Sequence, residues 1–326
     1  AKSGDPDDRR QSTWGMSVHI KLEVIFMNRR TFLEYLPLGL VFGLSASKPA
    51  NGQTFEELAL RVQTSSENIR QQSTERINED ARQTGATLSN IVREVVSDLQ
   101  PGMTTEQIDA AFSSQILSQG LLPSMLGFRG FPASSALSVS PNFLHSPPDE
   151  QVIVDGDLLT IQVSANSDFS HASLGLTVPI GCPAAANIHV LEGCRRALQN
   201  AISVVRAGVR TGEVSHEIQR SLSADSLSPI RDFVGYGMGR ERIQAPQILG
   251  YGPADRGDFI EAGMILNIHV IGTMGEPLTR IAPDNWTATT QDGSTAALAT
   301  AMVLVEENGS TVITSMPEMS LTSCMS

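Results

Sequence analysis

The chain has 326 residues, 40% of them apolar, and a formal charge of −12 with a pI near 4.9. That is enough apolar material for one large domain or two small ones with a buried core, and it excludes a disordered chain. The acidic balance excludes nucleic acid as a partner, because no basic stripe offsets the repulsion from a phosphate backbone.

The amino-terminal end reads as an address or an anchor. Residues 27–47 run Met-Asn-Arg-Arg-Thr-Phe-Leu and then through Leu36, Leu38, Leu40, Val41, Phe42 and Leu44 to the small residues Ser45, Ala46 and Ser47. This resembles a twin-arginine export signal. The apolar run of roughly 15 residues would reach only about 23 Å as a helix, and it carries Glu34 and Pro37, so it is a poor transmembrane span. A retained anchor and an amphipathic cytosolic extension are the alternatives. Either the natural start lies at Met27 or the preceding residues 1–26 are a real extension whose initiator methionine has been removed ahead of Ala1. As a signal or an anchor, the segment keeps Arg29 and Arg30 on the cytoplasmic side and places the rest on the periplasmic face.

Residues 54–99 carry helical apolar spacing through Phe55, Leu58, Val62, Ile69, Ile77, Leu88, Ile91, Val92 and Val95. The weakly apolar part from about 63 to 80 suits an exposed helix or a stalk. Downstream the chain repeats itself. Gly156-Asp-Leu-Leu-Thr-Ile-Gln-Val163 matches Gly263-Met-Ile-Leu-Asn-Ile-His-Val270, each a half-buried strand with Gln162 or His269 opposite its apolar face. Pro101-Gly-Met-Thr-Thr-Glu-Gln-Ile108 echoes Ala207-Gly-Val-Arg-Thr-Gly-Glu-Val214 at nearly the same offset. Two matches at one long spacing imply two pseudo-symmetric halves sharing a core, not a solenoid. The predicted architecture is α+β, a curved antiparallel sheet covered on its outer face by helices, with the concave face left for a site. Cys182, Cys194 and Cys324 have no CxxC spacing, so neither a zinc knuckle nor a disulfide scaffold is indicated. A Cys182–Cys194 bridge and two separate thiols both stay open.

Several motifs follow in order: Gln100-Pro-Gly-Met-Thr-Thr, Gly127-Phe-Arg-Gly-Phe-Pro-Ala-Ser, Leu144-His-Ser-Pro-Pro-Asp149, Val154-Asp-Gly-Asp-Leu, Arg231-Asp-Phe-Val-Gly-Tyr-Gly-Met-Gly-Arg240, Pro246-Gln247 and Glu261-Ala-Gly-Met264. In this order and spacing, from about Ala81 to Thr314, the chain resembles the methionine aminopeptidases, which share the pita-bread fold with creatinase and prolidase. The resemblance implies that fold. It also implies a pair of divalent metals held by two aspartates, a histidine and two glutamates, which activate a bridging water for attack on a peptide carbonyl. Aligned on those motifs, the five positions read Gln162, Ala172 (or Ser173 if the preceding loop has no gap), Tyr236, His269 and Thr300. The family's substrate-facing histidine after the glycine motif falls at Ile243, and His145 is kept.

The expectations are then a chain that is not an enzyme, with no metal and no other cofactor, and His145 and Ile243 as residual pocket contacts. Mutually repelling carboxylates would have given way to nearly neutral groups. The expected organisation is an extension over 1–26, a signal or anchor over 27–50, an exposed helix or linker over 51–80, the pita-bread domain over 81–314, and an extended tail over 315–326. The expected role is an accessory subunit of a membrane protein complex, respiratory or photosynthetic, on the periplasmic side. A pocket that binds a peptide or small ligand, and a hydrolase with altered chemistry, are the other readings.

Overall fold

The computed structural model describes residues 53–69 and 72–318. The expectations for residues 1–26 and 27–50 lie outside them, as does the tail beyond 318. Among the described residues the helices are α1 (Phe55–Ile69), α2 (Thr74–Ser97), α3 (Thr105–Ser118), α4 (Ala185–Ser203) and α5 (Thr211–Ala224). The strands of the first half are β1 (Leu122–Pro123), β2 (Ser135–Val139), β3 (Asn142–Leu144), β4 (Leu158–Asn166) and β5 (His171–Pro179). Those of the second are β6 (Ser228–Pro229), β7 (Gly235–Met238), β8 (Gln244–Ile248), β9 (Ile265–Thr273), β10 (Thr279–Ile281), β11 (Ala288–Thr290), β12 (Ala296–Glu306) and β13 (Gly309–Val312). No helix among the described residues is long and apolar enough to cross a membrane.

The main sheet follows the order β1-β4-β5-β12-β9-β7-β8, with β2 on β4, β6 on β9 and β13 on β12. The pairs are antiparallel, as predicted. A second, three-stranded sheet joins β10, β11 and β3.

The sequence repeat becomes a structural one. Ahead of α3, Gly102 N donates to Ile153 O at 2.8 Å and Ile153 N donates back to Met103 O at 2.9 Å. Ahead of α5, Gly208 N donates to Ile260 O at 2.8 Å and Ile260 N donates back to Val209 O at 2.8 Å. Gly102 and Gly208 have φ of 100° and 85°, a backbone region that glycine enters without steric cost. Each half then supplies an antiparallel pair, β4–β5 and β9–β12, and the two pairs meet where β5 lies beside β12.

Period-two alternation explains how the sheet acquires two unlike faces. Leu159, Ile161 and Val163 of β4 and Leu174, Leu176 and Val178 of β5 are buried with Leu88, Ile91, Val92 and Val95 of α2. Leu266, Ile268 and Val270 of β9 and Ala297, Ala299, Ala301 and Val303 of β12 are buried with Val190, Leu191, Leu198 and Ile218 of α4 and α5. Burying the valine, leucine and isoleucine side chains among them stabilises by roughly 1.5–3 kcal/mol each, which holds the helices on one face. The intervening residues are left to the other face.

Three boundaries differ from expectation. The described part of the stretch from 51 to 80 is not a free stalk: Leu58 and Val62 of α1 are buried against Leu122 and Leu126, and Ser65 Oγ donates to Ser167 O at 2.9 Å. α2 already begins at Thr74, with Ser73 as its N-cap. The described part of the tail lies on its own domain, since Ser315 N donates to Ser89 Oγ at 3.0 Å and Arg195 Nη2 donates to Pro317 O at 2.8 Å. Cys194 is a free, buried thiol, which removes the Cys182–Cys194 bridge. Burial pushes that thiol up to about 12.

Strand β7 runs so close to β9 that only glycine fits at residue 235. A Cβ there would stand 2.6 Å from Asn267 O and 3.1 Å from His269 N, both backbone atoms. Gly235→Ala is therefore expected to cost about 2 kcal/mol, a drop of ~4–8 °C in melting temperature. Gly250→Ala, whose Cβ would meet nothing nearer than Ile230 O at 3.6 Å, should leave the melting curve in place.

Candidate functional site

The middle of the main sheet's face turned away from the helices is polar. It presents Thr160, Gln162 and Ser164 from β4, Ser173 and Thr177 from β5, Thr300 from β12, Asn267 and His269 from β9, and Tyr236 from β7. Register brings them side by side: Ser164 lies opposite Ser173, Gln162 opposite Gly175, Thr300 opposite His269, and Tyr236 opposite Asn267. Four of the five positions picked out in the sequence, Gln162, Tyr236, His269 and Thr300, therefore share one surface. Ala172 does not. It is fully buried on the helix side with α2, so the residue that belongs to the face is Ser173, the alternative reading with no loop gap.

Most of these groups already have partners. Thr300 Oγ1 accepts from Gly175 N at 2.7 Å, and Gln162 Oε1 accepts from His145 N at 3.0 Å. His145 follows β3 with φ 59°, and its ring meets Phe233 edge-on at 5.3 Å. The rings of Tyr236 and His269 are 5.1 Å apart, and Asn267 Nδ2 lies 3.4 Å from Tyr236 Oη. Three shielded atoms are left without a partner here: Arg242 Nε, His269 Nε2 and Asn267 Oδ1.

Arg242 is the member that the sequence did not reveal. Ile243, expected to contact the pocket, is half-buried just before β8, and it is its neighbour that carries the polar contacts. Arg242 Nη2 donates to Ser164 Oγ at 3.0 Å, and its guanidinium lies 4.5 Å from the centroid of Phe128. Ser164 Oγ in turn donates to Ser173 Oγ at 3.0 Å. Among the described residues no carboxylate is paired with Arg242. The one available signal was a charged residue inside a glycine-flanked bend.

Burial, and then the positive charge of Arg242, lowers His145 to about 4. Burial first, then His145 and Arg242, lowers His269 to about 3. Burial also lowers Arg242, against an opposing pull from Tyr236. At neutral pH the cluster thus holds two uncharged imidazoles and one guanidinium.

A methionine-aminopeptidase-type pita-bread domain is what this architecture defines, and the solved structures agree. Methionine aminopeptidase from Rickettsia prowazekii superposes with a TM-score of 0.73 at 25% identity, covering 74% of this chain and 98% of that one. The enzyme from Thermotoga maritima gives 0.72 at 29% identity, covering 76% and 99%. Residues 79–307 match metallopeptidase family M24, and the chain belongs to that family. Among curated relatives, methionine aminopeptidase 1 of Bacillus subtilis is 29% identical over 233 residues, 72% of this chain and 94% of its own length. Methionine aminopeptidase 1 of Mycobacterium tuberculosis is 31% identical over 237 residues, 71% and 89%.

These relationships correct the expectation that the chain is not an enzyme. Near-full-length likeness to proteins named methionine aminopeptidase points to a peptidase, and nothing in it marks the five aligned positions as lost ligands. Membership of a metallopeptidase family implies a bound metal. Gln162, Ser173, Tyr236, His269 and Thr300 offer a single imidazole and no carboxylate, with a guanidinium facing them. Among the described residues no group of three or more His, Cys, Asp or Glu is placed to hold an ion. This set does not fit a pair of dications, which need anionic oxygen donors.

The histidine shifts have a defined sign. The folded site refuses protons that the unfolded chain takes up below about pH 6.5, so these rings favour the fold above that pH. Their contribution is lost as pH falls through about 4 for His145 and about 3 for His269. Buried Asp109, raised to about 6, runs the opposite way and loses its contribution as pH rises through that value. A melting curve therefore mixes the two, and ring signals separate them. In histidine-labelled protein, His145 and His269 should keep neutral-imidazole nitrogen shifts down to about pH 5.5, where an unperturbed ring is mostly protonated.

Proposed function

We propose that the polar face of this M24 domain binds short peptides, with His145, Asn267, His269 and Arg242 as its contact groups. The observation that carries this reading is the trio of shielded, unpartnered atoms: Arg242 Nε as a donor, Asn267 Oδ1 as an acceptor, and His269 Nε2 as either, according to tautomer. A buried polar atom without a partner costs roughly 1–3 kcal/mol, which a ligand offering both an N–H and an acceptor oxygen would recover. A peptide offers both. The relatives are methionine aminopeptidases, which supports the same ligand class.

The test is a thermal-shift screen of the purified chain against di- and tripeptide pools, with released amino acids followed by mass spectrometry in the same wells. At a ligand concentration a hundred times Kd, stabilisation of about 2.7 kcal/mol should raise the melting temperature by ~5–10 °C. No shift with any pool would sink the reading. Release of an amino-terminal residue would carry it from binding to hydrolysis.

We also propose, from residues 27–47 alone, that the chain works beside the periplasmic face of a membrane in company with a membrane protein complex. Fractionated cells should then show it in the membrane or periplasmic fraction, and recovery wholly in the cytosol would refute this.

A further inference from the structure

We infer that the ligand group this site selects is a carboxylate, held by Arg242 and His269 and overlooked by Arg129. The inference rests on the peptide-binding reading above and names the class of peptide it favours.

The local charge favours an anion. The Arg242 guanidinium lies 4.5 Å from the centroid of the Phe128 ring, and that of Arg129 lies 5.3 Å from the same centroid. Two guanidiniums thus gather about one aromatic side chain, close enough for Arg129 to act against the charge on Arg242. Arg242 spends one donor on Ser164 Oγ and has no carboxylate partner among the described residues. Ordered water would satisfy a neutral donor, but it leaves this charge without a counter-ion beside two uncharged rings. An anion supplies both hydrogen bonds and the missing charge.

The local shape favours a carboxylate. A carboxylate is planar with two acceptor oxygens, and a guanidinium offers donors in a fixed fork that matches it. Arg242 Nε is shielded and unmet, and His269, nine-tenths buried, has an unmet Nε2 in the same electrostatic neighbourhood. With the Nε2-protonated tautomer, His269 donates to the anion while remaining neutral. Gln162, His145, Tyr236 and Arg242 around it are only partly buried, which leaves a way in from that side. Asn267 Oδ1 is the one unmet acceptor of the trio, and it calls for an N–H on the same ligand. A carboxylate with a neighbouring N–H describes an acidic residue in a peptide or a peptide's own carboxyl end. A dication or a free ammonium fits this cluster poorly, because the guanidinium repels both.

Calorimetric titration of the full chain decides between the two sources. One arm compares Glu-Ala-Ala-amide with Gln-Ala-Ala-amide, which differ in the side-chain carboxylate. The other compares Ala-Ala-Ala with Ala-Ala-Ala-amide, which differ in the terminal one. In at least one arm the carboxylate peptide should bind tenfold or more tightly, and the arm that shows it identifies the source. Arg242→Gln should abolish that preference while Arg242→Lys keeps part of it, with melting curves confirming that both variants fold. Equal binding within both pairs, or a preference that survives in folded Arg242→Gln, overturns the inference while leaving peptide binding intact. If no peptide binds but glutarate does, through Arg242, the carboxylate site stands and the peptide reading falls. If neither binds, both fall.

Discussion

The structure depends on one constraint: in β4, β5, β9 and β12, every residue that faces the helices is apolar, and its immediate neighbours must face the other way. Burial against α2, α4 and α5 fixes the register, because a slip of one residue would carry an apolar set into the polar face and a polar set into the core. The polar face is thus specified by the hydrophobic effect acting on its opposite. That is why Thr300 lies opposite His269, and Gln162 opposite Gly175, with no interaction between those side chains needed to place them.

Duplication strengthens the constraint. The two halves close their helix starts with equivalent backbone pairs, Gly102 with Ile153 and Gly208 with Ile260, and each feeds one antiparallel pair into the sheet. Side chains from both halves meet on the polar face: Gln162, Ser164 and Ser173 from the first, Tyr236, Asn267, His269 and Thr300 from the second. Arg242 crosses between them, since it belongs to the second half and bonds to Ser164 of the first. A site built this way is held by the packing of the whole sheet. Its strand backbone is pre-positioned, and Arg242 and His145 arrive on irregular segments.

Much of this was legible in the sequence, and the exceptions have identifiable causes. Strands β4 and β9 were visible because each alternates cleanly and the two echo each other, and for the same reason Gln162 and His269 were assigned a common face. Ala172 was misplaced because the choice between it and Ser173 turned on one residue of loop length, and a single step along a strand changes the face. The sequence does not single out Arg242, because residues 239–243 form a bend, where neither a period of two nor one of 3.6 says which way a side chain points. The packing of α1 escaped because its partners, Leu122 and Leu126, sit in a short strand and the irregular chain after it. The expectation of a non-enzyme failed at a different link. It inferred activity from the charge of five aligned positions, whereas the family relationship over residues 79–307 speaks for a peptidase.

Charge at two scales decides what the polar face can attract. The molecule as a whole carries −12, yet at an ionic strength of 0.15 M that field fades within about 8 Å of the charges that produce it. Inside the cluster the local balance is the reverse. Arg242 is positive, Arg129 stands against the same Phe128 ring, and His145 and His269 are kept neutral by burial and by Arg242 itself. An anion arriving there would meet an attractive guanidinium and would also relieve the two imidazoles, making each easier to protonate. A cation would meet the guanidinium's charge and the desolvation that already depresses all three groups. The long-range field therefore sets how often an acidic ligand approaches, while the cluster sets how long it stays.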